Sequence, residues 1–470
     1  MKYSTFIPEA LVVGAAVVLL LTGRFQPGWL RRSRARLPWY VAAVLVVALG
    51  VELWAGASVG TYFDGGLVQD RFALFVKAAV LFATALAIAA ADWPAEDSLS
   101  ISLAMPMLAA FGVMVTASAG DFVGVWVGVE VTAAAGVAML ALRRPDQAMR
   151  LLLGGGAAGA LLLIGLAYVY ATAGTADVLG VRQVLAGGAP TLPLALPIAL
   201  MLGALAFRAS LGSLQVGGGT AVQPASPLST GMITGLAAAA ALVAATKITA
   251  AIGPVAPVYA TFLEVVAALT IIGGGAGALV VRAPRARLAF LAAGQSGWVL
   301  AGLAMHDRSG LGSAVFMLGA MLIAATAGPA VMGALGAAES AVAGMGTLRP
   351  QRAAAFSLCL LSLAGVPPLA GFFGQFAVAA SVAGAGHLEL VAAGLLGTAM
   401  SVVAAIGTVR AIYLANPLDE SRRAGFALPA WTRLSAGGAV ALAIAIAAYS
   451  LFANPIISLA FQSAEGLGLR

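Results

Sequence analysis

The sequence predicts an all-α polytopic membrane protein with about fourteen transmembrane helices. Hydrophobic residues make up 61% of the chain and charged residues 9%, whereas a soluble domain carries about 25% charged residues. Apolar runs of roughly 17–25 residues, the length that crosses a bilayer as a helix, recur along the whole chain. The 58 glycines fit this class, because small residues let membrane helices approach closely. We therefore expect one membrane domain over residues 1–470.

The apolar runs define the predicted spans in order. They are 5–22, 39–58, 71–91, 101–118, 121–142, 150–173, 193–214, 228–252, 256–281, 287–305, 311–336, 353–382, 388–415 and 429–453. The first run has no basic leader and no clear cleavage site, so it is interpreted as a span and not as a signal peptide. We divide the domain into a three-helix segment, two repeats and a C-terminal helix, at 1–100, 101–252, 253–415 and 416–470.

The loop charges predict the orientation of the chain. An even number of spans places both termini on one side of the membrane. Loops that follow odd-numbered spans hold 17 basic residues, and the opposite side holds five. Because basic loops stay in the cytoplasm, both termini are predicted to lie outside it. One cytoplasmic loop is acidic instead, with Asp92, Glu96 and Asp97, but acidic residues weigh little in this rule.

Two segments have the composition of broken helices. Residues 208–228 contain a glycine triplet and residues 364–376 contain a proline pair. Unwound backbone at membrane depth is tolerated only where protein or a wet cavity satisfies the freed polar groups. The interruptions fall in spans 7 and 12, five spans apart, and this spacing predicts two inverted repeats of the kind found in transporters.

Several kinds of site are excluded by composition. The single cysteine, Cys359, excludes an intrachain disulfide and any cysteine-based metal centre. The two histidines, His306 and His387, fall in predicted loops, and we expect no haem or metal site from them. No phosphate-binding, dinucleotide-binding or serine-hydrolase motif is present. The net charge of +7 is distributed over short loops, so no nucleic-acid partner is expected.

Four charged side chains lie within apolar runs: Lys77, Glu130, Arg208 and Lys247. A charge near the bilayer centre costs about 3 kcal/mol on the most lenient scale and is usually functional. The chain has only three lysines among its 25 basic residues, and two of them are in these runs. Lysine can lose its proton when it is buried, whereas arginine in effect cannot. The lysines therefore stand where a proton could come and go.

Each of these residues has a second interpretation. Glu130 is either a proton-relay carboxylate or a glutamate capped by a neighbouring helix. Lys247 is either a proton-holding amine or a lysine that snorkels from a helix end. For Lys77, which is nearer one interface, snorkelling is an equal alternative. Arg208 is a fixed charge that biases nearby groups but does not shuttle protons at neutral pH.

Three further charged residues receive weaker assignments. Glu52 and Glu264 lie nearer the ends of their apolar runs and are predicted to be interfacial. Arg150 is first a signal of topology and secondly a candidate member of a charge array.

Five segments resemble one family of membrane subunits. They are DRFALFVKAAVLF, DFVGVWVGVEVTA, RRPDQAMRLLLGGGAAGALLL, VRAPRARLAFLAAGQSGWVLAGLA and SLAGVPPLAGFFGQF. Together they resemble the antiporter-like membrane subunits of respiratory complex I, and most closely subunit N of NADH–quinone oxidoreductase. The resemblance covers most of the chain.

The resemblance implies a place in the proton-translocating arm of a bacterial inner-membrane complex. Electron transfer would occur elsewhere, so NADH, FMN, iron–sulfur clusters and quinone are expected in partner subunits, with K- and M-like subunits as neighbours. Glu130 matches the family's ion-pair glutamate. Arg208 stands where the family usually has its partner lysine, and Lys247 falls near the central lysine of the eighth span.

The chain also departs from the family pattern. Gln375 stands where the family has an exit-side lysine or glutamate, and Gln295 stands where a histidine is common. A glycine-rich stretch at 216–220 replaces a polar element, and the interval from Arg208 to Lys247 is longer than the family spacing. Three hypotheses remain: a proton-translocating subunit, a structural spacer without a proton path, or the equivalent subunit of a membrane-bound hydrogenase or multisubunit cation/proton antiporter.

Overall fold

The computed structural model describes residues 4–25, 36–55, 59–93, 99–188, 192–217, 226–333, 342–415 and 432–467. Over these residues the chain is a bundle of α-helices with one small hairpin. The helices are α1 Ile7–Phe25, α2 Leu37–Ala55, α3 Arg71–Ala90, α4 Leu99–Ser118, α5 Phe122–Ala141, α6 Pro145–Ala173, α7 Val178–Ala186, α8 Ala195–Gly217, α9 Pro227–Val258, α10 Ala260–Val280, α11 Pro284–Ala304, α12 Arg308–Val331, α13 Met345–Leu348, α14 Pro350–Ala364, α15 Ala370–Gly384, α16 Leu388–Leu414, α17 Thr432–Leu451 and α18 Ala453–Gly466. The strands are β1 Gly60–Tyr62 and β2 Leu67–Gln69, which pair antiparallel.

The membrane class predicted from composition is confirmed. Nine helices of the described chain are long and apolar enough to cross a membrane, and a tenth span is formed if the bent pair α17 and α18 counts as one. Each predicted apolar run coincides with a helix or a helix pair of the bundle. Three of those helices are shorter apolar segments, Ile7–Gly23, Ala195–Ser210 and Ala370–Gly384.

Helices α9 and α12 form the centre of the bundle. The apolar windows of α9 and α12 are 94% and 100% buried, whereas those of α10 and α16 are 33% buried. The central helices touch closely because α9 carries glycines: a Cβ at Gly231 would lie 2.1 Å from the Thr326 carbonyl oxygen of α12. Helices α10 and α16 therefore lie at the periphery and expose apolar residues on the outside of the bundle.

Aspartates fix the beginnings of four helices. Asp70, Asp121, Asp177 and Asp307 each precede a helix and accept a hydrogen bond from the backbone N–H three residues further on. Such a cap satisfies one of the unpaired N–H groups of the first turn. The caps also leave carboxylates at helix ends, and three of the four meet on one face of the bundle.

The β hairpin connects α2 to α3 and joins that face. Gly60 pairs with Gln69 in its register. Isolated bridges link Leu67 to Ala119 and Asp121 to Asp177. The hairpin, the α4–α5 turn and the start of α7 therefore lie side by side.

The predicted break in span 12 is observed, whereas the one predicted over residues 208–228 falls partly on residues that the structure does not describe. Helix α14 ends at Ala364, where Gly365 takes a positive φ of 80°, and α15 begins at Ala370. In span 7, helix α8 continues through Arg208 to Gly217 without interruption. The segment before the glycine triplet is made of residues that are compatible with a helix, and residues 218–225 lie outside the described chain.

The acidic loop that opposed the charge rule has a structural reason. Asp92, just after α3, accepts a 2.7 Å hydrogen bond from Arg352 Nη1 of α14, and Ser435 of α17 joins the same group. Both partners are buried. Asp92 thus neutralises one arginine of the face predicted to be cytoplasmic and connects three helix ends. Glu96 and Asp97 lie outside the described residues.

Candidate functional site

Glu130 and Arg208 form a partly buried ion pair between α5, α6 and α8. Arg208 Nη2 of α8 lies 2.5 Å from Glu130 Oε1 of α5 and 2.5 Å from the carbonyl oxygen of Gly155 in α6. The side chain of Arg208 is 5% exposed and that of Glu130 is 31% exposed. The sequence therefore identified both members of the pair, and the structure brings them together.

Glycines of α6 make room for the pair. A Cβ at Gly159 would lie 2.2 Å from Glu130 Oε1 and 2.5 Å from Arg208 Nη2. The indole N–H of Trp126 donates to the Gly159 carbonyl at 3.3 Å. The charged ends consequently pack against the backbone of α6, which offers carbonyl groups in place of side chains.

A cavity of about 40 Å³ adjoins Arg208. Its lining comes from α5, α6, α8 and α9. Ile233 and Ala237, which belong to a π-helical turn at Met232–Ala237, form its α9 wall. Such turns are frequent at functional sites. Arg208 Nε is buried and has no hydrogen-bond partner among the described residues, so a water in this space would have a donor to bind.

Lys247 lies in a different part of the bundle from the Glu130–Arg208 pair. Its ammonium donates a 2.6 Å hydrogen bond to the carbonyl oxygen of Ala119, in the α4–α5 turn. Glu130 is eight residues into α5, which at 1.5 Å per residue puts it about 12 Å deeper than this turn. Lys247 therefore lies near one face of the membrane domain, and direct proton exchange with Glu130 needs intervening water.

Lys247 lines a cavity with a volume of about 580 Å³. The hairpin, the α4–α5 turn and the start of α7 form its other walls, with Asp64, Asp70 and Asp177 among the lining residues. Asp70 and Asp121 carry negative charge near the ammonium. Lys247 is enclosed by protein, with 3% of its surface exposed. It lines a cavity that also has aspartates in its lining.

Lys77 does not snorkel to the surface, and Glu52, which was predicted to be interfacial, is enclosed by protein. Both residues are fully buried. Lys77 pairs with Glu9 of α1 and donates a 2.7 Å hydrogen bond to Gln69 Oε1, and Gln69 Nε2 donates to Glu52 Oε1 at 2.8 Å. The hairpin and α1 cover these groups, which is a tertiary effect that apolar runs do not show. Glu264 is partly buried beside His387, and its interfacial assignment stays a prediction.

The two glutamines occur at the break between α14 and α15. Gln295 Nε2 donates a 2.5 Å hydrogen bond to the carbonyl oxygen of Leu363, one of the groups freed at the end of α14. Gln375 accepts a 3.2 Å hydrogen bond from Thr398. Both are buried neutral amides in structural contacts. Arg150 is exposed on α6 and lies apart from all of these groups.

The histidines have separate environments. His306, in the α11–α12 connection, lies 3.1 Å from the Tyr259 hydroxyl, and burial lowers its pKa from 6.5 to about 4. His387 Nδ1 lies 3.3 Å from Glu264 Oε2 and 3.7 Å from Glu389 Oε1. These three have the donor types of a metal site, but Glu389 is 78% exposed and the distances are those of a surface ion-pair group.

Sequence reasoning missed four participants: Glu9, Gln69, Asp70 and Asp177. Two signals were present. Glu9 is an acid in the first apolar helix, and Asp70 and Asp177 each stand at the cap position of a helix. Their proximity to Lys77 and Lys247 depends on how the hairpin and loops fold over the helix ends, which the sequence pattern does not contain.

Comparison with known proteins agrees with this geometry. The family model described as "NADH:quinone oxidoreductase/Mrp antiporter, TM" matches residues 119–401, a segment that contains Glu130, Arg208 and Lys247. The NADH-quinone oxidoreductase subunit N of Paramagnetospirillum magneticum is 27% identical to this chain, over 98% of this chain and 97% of its own length.

Solved structures share the fold. A chain of respiratory complex I from Thermus thermophilus, solved with bound aureothin, superposes with a TM-score of 0.79 at 21% identity and covers 97% of this chain and 99% of its own. A chain of the Mrp complex from Dietzia sp. DQ12-45-1b superposes with a TM-score of 0.76 at 21% identity and covers 98% and 97%. Since the family model spans more than half of the chain, the protein belongs to the NADH:quinone oxidoreductase/Mrp antiporter transmembrane family.

Proposed function

We propose that this chain is the subunit N of a bacterial NADH–quinone oxidoreductase and translocates protons in its membrane arm. Two observations support this. The subunit N relative matches this chain along almost the whole of both lengths, and the family region holds a charged pair at membrane depth. Quinone reduction and its cofactors, NADH, FMN and iron–sulfur clusters, belong to other subunits of the complex.

The Glu130–Arg208 pair is the observation that carries the proposal. Burying two charges costs several kcal/mol per ion, which mutual attraction offsets only with good geometry. A pair of this kind contributes little net stability, so its presence at membrane depth favours function over structure. Because Arg208 keeps its charge at every physiological pH, Glu130 is the member that takes up and releases a proton. Arg208 supplies the field that holds Glu130 ionised between transfers.

A proton route would use the two cavities on either side of this pair. The 40 Å³ cavity lies toward the end of α5 that ends at Ala141. By the loop charges that end faces the cytoplasm, so this cavity would supply the proton. The 580 Å³ cavity at Lys247 lies toward the opposite face and would release it. Water would bridge the interval of about 12 Å between Glu130 and the level of Lys247.

The proposed function also implies a topology and a set of neighbours for this chain. We propose fourteen spans, formed by the described helices with α14 and α15 as one broken span, and two inverted repeats over 101–252 and 253–415. Both termini would lie outside the cytoplasm, and the chain would be a multi-pass protein of the plasma membrane. K- and M-like subunits would be its neighbours in the membrane arm, with lipid on the remaining surface.

A second candidate is a structural spacer of the same complex. Gln295 and Gln375 favour it, because both are neutral amides committed to backbone and hydroxyl contacts where a titratable exit group is expected. The third candidate is the equivalent subunit of a cation/proton antiporter or hydrogenase. Its fold would be the same, as the Mrp comparison illustrates, so the choice depends on the electron donor of the assembled complex.

The test is proton translocation by the intact complex in vesicles. Glu130→Gln is compared with Glu389→Gln, whose carboxylate is 78% exposed and outside the pair. We expect Glu130→Gln to lower the number of protons moved per quinone reduced, and Glu389→Gln to leave it unchanged. Equal ratios in both variants and the wild type would identify a spacer. An assembly that moves cations without oxidising NADH would identify the third candidate.

A further inference from the structure

A buried group of three charged side chains and one amide lies outside the proposed proton route. It consists of Glu9 of α1, Glu52 of α2, Gln69 of β2 and Lys77 of α3, and we name it the N-terminal cluster. Glu52, Gln69 and Lys77 are fully buried and Glu9 is 8% exposed. The Phe6 ring covers the ammonium, with its centroid 5.8 Å from Lys77 Nζ. The cluster lies before residue 119, where the family match begins.

The charges of the cluster do not balance when every group has its ordinary protonation. Two carboxylates and one ammonium leave a net charge of −1. Lys77 contacts Glu9 directly and reaches Gln69, which in turn donates to Glu52 Oε1. A neutral amide therefore stands between the ammonium and Glu52, and the second carboxylate has no cation of its own within the described cluster.

The second oxygen of Glu52 is unpaired. Glu52 Oε2 is buried and has no hydrogen-bond partner among the described residues. An uncompensated buried carboxylate is so costly that such groups take up a proton instead. A neutral carboxyl at the same place costs only the desolvation of a polar group, which is about 1–3 kcal/mol in proteins.

The cluster is adjacent along the chain to the lining of a cavity. Gln69 is followed in the chain by Asp70, which lines the 580 Å³ cavity together with Lys247. Asp70 Oδ1 is held by the backbone N–H of Ala73 at 2.7 Å. The lining of the cavity therefore includes the residue next to Gln69, which is the side from which a proton would enter the cluster.

We propose that the N-terminal cluster is a second proton-binding site, which holds one proton on the Glu9–Glu52 carboxyl pair beside the Lys77 ammonium. The proton is on Glu52 in the geometry observed, because Glu9 is the carboxylate that contacts Lys77. Binding converts the net charge of the cluster from −1 to zero, and no other bond changes. The site does not depend on the Glu130–Arg208 pair or on translocation.

The test is infrared spectroscopy of the purified, resting complex. A protonated carboxyl gives a C=O stretching band that is separate from carboxylate bands and shifts on transfer to D2O. We expect this band to disappear in Glu52→Gln. It should disappear in Glu9→Gln as well, because one carboxylate and one ammonium balance without a proton. Glu264→Gln, which removes a half-buried acid that faces His387, is the control and should keep the band.

Two outcomes overturn the proposal: the wild type shows no protonated-carboxyl band, or the band keeps its intensity in either Glu9→Gln or Glu52→Gln. If one variant fails to assemble, the other still decides, since each alone predicts loss of the band. The measurement needs no NADH turnover. A failure of the proposed translocation at Glu130 therefore leaves this result unaffected, and the reverse also holds.

Discussion

Substitution of Gly159 by alanine is expected to separate the Glu130–Arg208 pair without altering either charged residue. The new methyl would lie 2.2 Å from Glu130 Oε1 and 2.5 Å from Arg208 Nη2. Both atoms are the ends of flexible side chains, so the helices can stay in place while the charged ends retreat by about 1 Å to an ordinary contact distance. The substitution is therefore a test of the pair and not of the fold.

The cost can be worked from Coulomb's law. Lengthening the pair from 2.5 Å to about 3.5 Å, at an effective dielectric constant of about 20, removes about 2 kcal/mol of attraction. A loss of this size reduces the stabilisation of the ionised form of Glu130 by Arg208, and its ionisation constant falls by more than tenfold. We expect fewer protons per quinone reduced in vesicles, while NADH oxidation by the other subunits continues.

Gly156→Ala is the matched control on the same helix. A Cβ at Gly156 meets nothing within 4 Å, so this variant gains the same methyl and the same helix propensity without touching the pair. Its translocation ratio and thermal stability should equal those of the wild type. The reasoning fails if Gly159→Ala and Gly156→Ala give the same ratio, because the close packing against α6 would then have no bearing on transfer.

Three further changes test other parts of the structure. Lys247→Met should slow proton release and lower the translocation ratio less than Glu130→Gln does, because the acidic cavity remains; an unchanged ratio would remove Lys247 from the route. Arg352→Met leaves Asp92 as a buried unpaired charge and should cost about 3–5 kcal/mol of stability, seen as a lower Tm of the complex; an unshifted Tm would contradict this. The pKa of His306 is lowered to about 4, so the unfolded chain binds the extra proton between about pH 4 and 6.5. The stability held by neutral His306 is therefore complete above pH 6.5 and lost as pH falls, and the Tm advantage of the wild type over His306→Asn should shrink over that range, whereas a constant difference would show that His306 does not titrate there.

The sequence supplied the Glu130–Arg208 pair for a clear reason. Both residues are charges within apolar runs of ordinary helical length, so their depth follows from the position along each helix. Helices α5 and α8 are spans 5 and 7, which begin at the same face, so residues near their middles lie at similar levels. The break in span 12 could also be predicted from the sequence, because Gly365 and the proline pair act locally on the backbone.

The depth of Lys247 was harder to predict from the sequence, because it depends on how α9 is offset against its neighbours. Helix α9 runs from Pro227 to Val258, longer than a bilayer requires. A lysine twenty residues along it is at mid-membrane or at one face according to where the helix begins. The contact with Ala119 decides that question, and it joins segments 128 residues apart.

By itself the sequence determined the membrane class, the helical segments and the charges that had to be buried, since hydropathy, helix length and desolvation act on each segment separately. The tertiary structure alone decided which charges share a site. Lys77 joins Glu9 and Glu52 because α1 and the hairpin fold over it, and Lys247 meets the capping aspartates because three helix ends converge. The physical reason is that burial and pairing depend on long-range packing, whereas a sequence pattern records only which residues share one helix.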